Sequence, residues 1–528
     1  MVPPLPQGPV PAGRRAWPCR HDNRKAGAGQ GAHTPGTGAG RLVAAAAAVV
    51  MTVLAGCATP PAEVARQGDP EAACRAFFRS LDEQVAAAGV RDGIGAPPAA
   101  YPYLRATRFL GSFRDELDDP AVRGAWLDAA QALDREARLL ELRHLGPDAR
   151  DAVAVPASMD NATAAVVGCG KRLRRADGLD RADGPWPQAA EALRVPDEYV
   201  SWHRALGFYP VSRWFISAGV ASWQQGVRET FENTVPADEP ALRYRPATEP
   251  AEPAVAGEIL ARAPRDPLGR PELTKTEWRQ VFEHFAPVVE LERDVRHNRL
   301  GWPLLRPDGL PAVDTQQPVV FTHRSYMPYG DETLTQLNYN WWFSERPVDH
   351  WLDLLGGRLD GLTVRLTLDG AGRLLLVETM HNCGCYHQHY PVQGLEPRDE
   401  PRYAEKPLIL PGPGRPGPGE RLRVRLEGGT HYVQHLAFAP VPGQGRRYVM
   451  DDYDTLRSLP APDGGRRSLF QPDGLVAGTE RSERWFLWVS GVPQPGAMRQ
   501  YYNHATAFVG RRHFDDPDLL ERIYTDTR

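Results

Sequence analysis

The chain has 528 residues, of which 42% are hydrophobic, with 51 prolines, 50 glycines and a formal charge of −4. That length exceeds one ordinary core and implies two or three globular domains rich in turns. The nearly balanced charge, with no basic patch, gives nucleic-acid binding no support.

The first 40 residues are rich in Pro and Gly with scattered Arg. Such a stretch suits disorder or a start codon placed too early. Arg41 then precedes an apolar run, Leu42 to Leu54, which is too short to span a bilayer comfortably. The run closes in Leu54-Ala55-Gly56-Cys57. Basic flank, apolar segment, small residues and Cys, in that order, resemble a bacterial lipoprotein signal peptide. The resemblance covers only about 20 residues, a targeting segment to be set aside before any fold reasoning. It implies that residues 1–56 are a leader, that the Cys57 thiol takes the lipid, and that the mature protein works in the cell envelope. Acyl chains anchor a protein to membrane lipid without spanning it. Ala58, where an Asp would favour the inner membrane, implies the outer membrane, facing the periplasm. No later stretch reaches the roughly 18 apolar residues of a spanning helix.

That compartment permits disulfides. Cys19 falls in the leader, which leaves Cys74, Cys169, Cys383 and Cys385. Cys74 and Cys169 both sit in helix-like segments and are predicted to pair. The alternative is two separate buried thiols.

Residues 57–300 read as mainly helical. Leu133, Ala137 and Leu140 recur at helical spacing, with Gly146-Pro147 as a stop. Ile216, Val220, Trp223, Val227 and Phe231 trace an apolar stripe led by Tyr209-Pro210 and Trp214-Phe215. A core helix is the plainer reading of that stripe, and a helix lying on a membrane surface the other. Residues 234–255 read as a linker or long loop. Thr274 and Glu277 suggest a capping box, followed by Trp278, Val281, Phe282 and Phe285 on one face and Pro287 as a limit.

After about residue 310 the period becomes two. Leu337, Tyr339, Trp341 and Phe343 alternate with Gln336, Asn338, Asn340 and Trp342. Leu362 to Leu368 form a second strand, Asp369-Gly370-Ala371-Gly372 turns the chain, and Leu374 to Val377 returns. The Pro/Gly run 411–419 cannot lie inside a sheet. Leu422 to Leu426 and Trp485 to Val489 complete the expected strands. The fold class is therefore α+β: a helical N-terminal region, then a β-rich domain over 310–528, a sandwich or partly closed barrel.

Chemistry concentrates in His381-Asn382-Cys383-Gly384-Cys385-Tyr386-His387-Gln388-His389. The five ligand types, His381, Cys383, Cys385, His387 and His389, fall on odd positions, which share one face of an extended chain. An extended run would spread them over about 27 Å, too far for one ion. A turn at Gly384 would fold the halves together. Thiolates with imidazoles suit zinc or copper. A CxC disulfide, or two buried thiols beside scaffold histidines, are the alternatives. His431 and His435 share a face if they lie in one strand, and are candidates to complete a site with His387 and His389. Asp360 and Glu378 are the nearest carboxylates. A salt bridge from Glu378 to Arg358, Arg365 or Arg373 is a plainer reading than general-base work. Three functions follow: a metal-binding envelope lipoprotein, a non-catalytic binding lipoprotein, or a thiol–disulfide protein. For the second, Tyr339, Trp341, Trp342, Phe343 and Trp351 would meet a glycan or an envelope protein partner.

Overall fold

Asp69 opens the first helix, α1 (Pro70–Ala88), because its carboxylate accepts from the Glu71 and Ala72 amides and Pro70 needs no partner in the first turn. Gly89 closes it at φ 64°, a left-handed cap that a glycine takes without strain. In the computed structural model, residues 69–233, 242–248, 253–348, 350–351, 353–400 and 402–528 are described. Cys57, the leader and most of the expected linker lie outside the described residues.

Helices α2 (Pro120–His144) and α3 (Ala162–Ala176) pack with α1 around Phe77, Phe78, Leu81, Trp126, Leu127 and Leu173. A Cys74–Cys169 disulfide ties α1 to α3. Two further helices, α4 (Ser201–Leu206) and α5 (Tyr209–Asn233), follow. Later come α6 (Pro253–Arg262) and α7 (Lys275–Phe285), the latter opened by the Thr274–Glu277 capping box. No described helix is long and apolar enough to cross a membrane.

A curled mixed sheet forms the second part, and the architecture is α+β. Its strands are β1 (Leu242–Pro246), β2 (Val288–Leu291), β3 (Val319–Tyr329), β4 (Glu332–Arg346), β5 (Gly357–Leu368) and β6 (Leu374–His381). They continue as β7 (Gln388–Pro391), β8 (Leu408–Ile409), β9 (Glu420–Leu426), β10 (Val433–Pro440) and β11 (Arg446–Asp452). The spatial order is β8-β7-β6-β5-β4-β3-β11-β1-β2-β9-β10. From β3 to β7 every neighbouring pair is antiparallel.

Three sequence expectations need correction here. The residue-300 boundary does not divide helix from sheet, because β1 and β2 belong to the same sheet as the later strands. Each is too short, at 5 and 4 residues, to display alternation in the sequence. Trp485 to Val489 is not a strand: Arg484–Leu487 is an α-turn, here α8, and a 3-10 turn follows. His431 and His435 do not share a strand face, since His431 sits before β10 at φ 56°.

The two faces of the sheet differ. Leu337, Tyr339 and Trp341 of β4, Val364 and Leu366 of β5, and Val377 of β6 point into a core shared with Trp278, Val281 and Phe282 of α7. Tyr339, Trp341, Trp342 and Phe343 are all 0% exposed, so no glycan platform is built from them, and Trp351 stands apart at 88%. The opposite face carries Gln336, Asn338 and Asn340, and the C-terminal segment covers it through Tyr501, Phe514 and Tyr524.

Candidate functional site

Strand register places a row of polar residues straight across the second face. His323 of β3 faces Asn338 of β4, which faces Arg365 of β5. Arg365 faces Glu378 of β6, and Glu378 faces His389 of β7. Asn338, Arg365, Glu378 and His389 are completely buried. Such a row costs stability unless its groups find partners.

Arg365 supplies the main one. Its Nε donates to Glu378 Oε2 at 2.7 Å and its Nη2 to Oε1 at 2.5 Å, while Nη1 donates to the Phe514 carbonyl at 2.6 Å. Its guanidinium also lies over the Phe514 ring, 3.6 Å from the centroid. Burial alone would raise the Glu378 carboxyl, but Arg365 and His387 outweigh it and hold the group ionised, well below the usual carboxylate range.

His387 and His389 complete the cluster. His387 Nε2 is 3.0 Å from Glu378 Oε1, and His389 Nδ1 is 3.9 Å from the same oxygen. One donor atom from each of the three residues lies within 4.8 Å of the others. Burial pushes His387 down to about 4, and it pushes His389 down further with help from His387. Both rings are thus neutral at pH 7, the protonation state in which imidazole binds metal. Both ring nitrogens of His389, and Nδ1 of His387, have no hydrogen-bond partner among the described residues. A tetrahedral zinc ion needs donors roughly 3.3–3.5 Å apart, so holding one would require the widest pair to close by up to about 1.5 Å.

The other expected ligands go elsewhere. β6 ends at His381, Gly384 turns at φ 93°, and Tyr386 adds a second left-handed residue at φ 61°. His381 pairs with Leu362, on the apolar face, whereas His389 pairs with Glu378, on the polar face. Since 378 and 381 are three apart, His381 and His389 lie on opposite sides of the sheet. The five-residue set therefore does not converge. Cys383 is buried against Trp342 and Met380, and Cys385 is half-buried; both are free thiols. A hydrogen bond to Cys383, then burial, raises the Cys385 thiol well above its ordinary value.

His381 joins a second carboxylate–imidazole cluster, at the end of the apolar face. Asp360 Oδ2 is 2.7 Å from His431 Nδ1, and Oδ1 is 3.4 Å from His381 Nδ1. Nε2 of each ring has no partner among the described residues. Burial opposes the Asp360 charge, but the two imidazoles outweigh it and hold the carboxyl well below the usual range. Leu359, Tyr386 and His431 all carry positive φ without being glycine, so strain gathers around this carboxylate. Half-buried Tyr386, Tyr432, Arg346 and Glu483 rim the cluster, with Arg346 Nη2 donating to Tyr432 Oη at 3.3 Å. Two imidazoles oriented at Nδ1 with free Nε2 are an arrangement for general-base work.

Comparison of the chain with protein-family models, with curated proteins and with solved structures finds no match.

The sequence named every member of both clusters and put His387 with His389, but it joined them to His381, Cys383 and Cys385, which lie elsewhere. Counting outward from Leu368 against Leu374, beside the Asp369–Gly372 turn, points to Arg365 against Val377, but a bulge between Thr367 and Leu368 shifts the register by one and sets Arg365 against Glu378. No local signal announces that bulge.

Proposed function

We propose that the chain is a lipid-anchored protein of the bacterial envelope, acylated at Cys57, whose sheet holds one zinc-class ion between Glu378, His387 and His389. The reading is carried by His389: a completely buried imidazole with neither ring nitrogen hydrogen-bonded among the described residues, beside an ionised carboxylate and a neutral imidazole. Nitrogen and carboxylate donors suit zinc. With no thiolate in the group, the case for a soft copper(I) site falls away. Arg365 opposes an ion, because it already neutralises Glu378. Glu378 would hold an ion through Oε1, giving up the hydrogen bond from Arg365 Nη2, and would keep the one from Arg365 Nε to Oε2, an outer partner of the kind that orients metal-bound carboxylates. All three donors are sealed from solvent. The ion's role is thus to hold β7 against β6 rather than to meet a substrate.

Calorimetric titration of zinc into chelator-treated full-length protein tests the site. The expected result is one equivalent bound by the parent and by Cys383→Ser/Cys385→Ser, and none by His387→Ala or His389→Phe. Folded parent protein that takes up no zinc ends the metal reading. For the anchor, mass spectrometry of the N-terminal peptide should find residues 1–56 removed and acyl groups on Cys57. An unmodified Cys57 ends that part alone.

A further inference from the structure

Large apolar side chains gather on one part of the surface. Trp202 of α4, Trp214 and Phe215 of α5, and Phe208 between the two helices are 60–78% exposed. Trp485 and Phe486 of α8 are 68% and 65% exposed. These helices are not loosely hung. Arg204 Nε donates to the Ser490 carbonyl and its Nη2 to the Gly510 carbonyl, each at 2.6 Å. Val200 N donates to the Gly491 carbonyl at 2.7 Å, and the His203 ring lies against both Trp202 and Trp488. Further along α5, Trp223, Val227 and Phe231 pack on the sheet core, so the helix is seated by its second half while its first half projects. A groove between Leu354, Leu355, Phe486 and Leu487, with Asp353, Glu483 and His350 at its edge, continues the surface. Exposed aromatic groups on this scale mark a surface that meets a partner.

Charge and side-chain chemistry decide which partner. The whole chain is net acidic, yet Ser201 to Arg228 contains no Asp or Glu and carries Arg204, Arg213 and Arg228. Arg213 lies over the Trp214 ring at 5.3 Å and Arg484 over Trp485 at 4.7 Å. Trp and Phe beside Arg, on a helical stretch that has no acid before Glu229, are the composition of a surface that sits in the headgroup layer of an anionic bilayer. The tether agrees, on the reading that Cys57 is acylated: the about 12 residues from Cys57 to Asp69 reach at most roughly 40 Å when extended, which keeps the body near the membrane.

We propose that α4, the first half of α5 and α8 form a second membrane contact that inserts aromatic side chains into the interfacial region of an anionic phospholipid bilayer. The acyl chain holds the protein at the membrane, and this face fixes which side of it turns toward the lipid.

The test uses protein isolated from the envelope and reconstituted into phosphatidylethanolamine–phosphatidylglycerol vesicles with brominated acyl chains. Tryptophan emission should be quenched relative to unbrominated vesicles. Most of that quenching should vanish in Trp202→Phe/Trp214→Phe/Trp485→Phe, which identifies the rings responsible. Phe208→Glu/Phe215→Glu/Phe486→Glu should remain vesicle-bound through the anchor, with unchanged circular dichroism and at least a threefold loss of quenching. Vesicle-bound parent protein quenched no more than the triple Trp variant overturns the proposal. A self-associating species that covers these residues, read by light scattering, overturns it equally. Acylation is read separately by mass spectrometry. Unacylated protein whose tryptophans are still quenched keeps the surface contact and ends the anchor reading.

Discussion

The two faces of the central sheet are held by different physics. On one face Leu366, Val364, Leu337 and Val377 share an apolar core with α7, held mainly by volume. On the other, five polar residues lie in one cross-strand row, and their satisfaction depends on direction as well as distance. The apolar face tolerates exchange of one hydrophobe for another. On the polar face, removing a group that has a partner strands that partner. A polar row that ends with an unpaired His389 is expensive as scaffold, which is why chemistry is sought on this side.

The sharpest separation of the faces comes from Arg365→Met. It leaves the Glu378 charge buried without its guanidinium, and denaturant unfolding should report a loss of about 3–5 kcal/mol. Arg365→Met/Glu378→Met should recover most of it, because the uncompensated charge is gone. A loss under about 1 kcal/mol for the single variant would mean that the ion pair contributes little, and the contrast between faces would fail. On the apolar side, Leu366→Ala should cost about 2–4 kcal/mol through lost burial and a cavity, with no partner able to rescue it.

Acid separates the faces differently. Burial holds His387 near 4 and both His323 and His504 near 3 in the folded protein, below the ordinary histidine value of 6.5. The unfolded chain therefore binds more protons across that interval. Stability should be full above about pH 6.5 and fall as the pH drops toward 4. Bound zinc adds to that fall, because protons displace it from His387 and His389. Leu366→Ala should lower the whole stability curve without changing its shape, whereas His387→Phe should flatten the acid limb. An acid limb unchanged by His387→Phe would show that other groups govern it.

His389→Phe is the smallest of these effects. Without metal, a phenyl ring of similar size removes two unpaired nitrogens, and stability should change by less than about 1 kcal/mol or rise. With zinc added, the parent should gain stability and the variant should not. Equal responses to zinc would place any binding outside this cluster.

Much of this was legible in the sequence. Alternation in β4 and β5 is strong because one face must be apolar, and the Thr274–Glu277 box marks α7 directly. Short β1 and β2 were not legible, since their burial comes from neighbouring strands rather than from their own pattern. Trp485 and Phe486 imitate a buried strand because apolar side chains carry no label for inside or outside. The 381–389 segment was legible as dense in ligands, but not as two sites. Whether His381 and His389 share a face depends on how many residues the turn takes up, and two left-handed residues, Gly384 and Tyr386, decide that.

Elemental analysis of the protein as isolated from the envelope, without a His tag or chelator, tests the central claim most directly. The account predicts about one zinc per chain, retained in Cys383→Ser/Cys385→Ser and lost in His387→Ala/His389→Phe with the fold intact. Folded parent protein free of transition metal, or zinc that survives the double histidine variant, would contradict it.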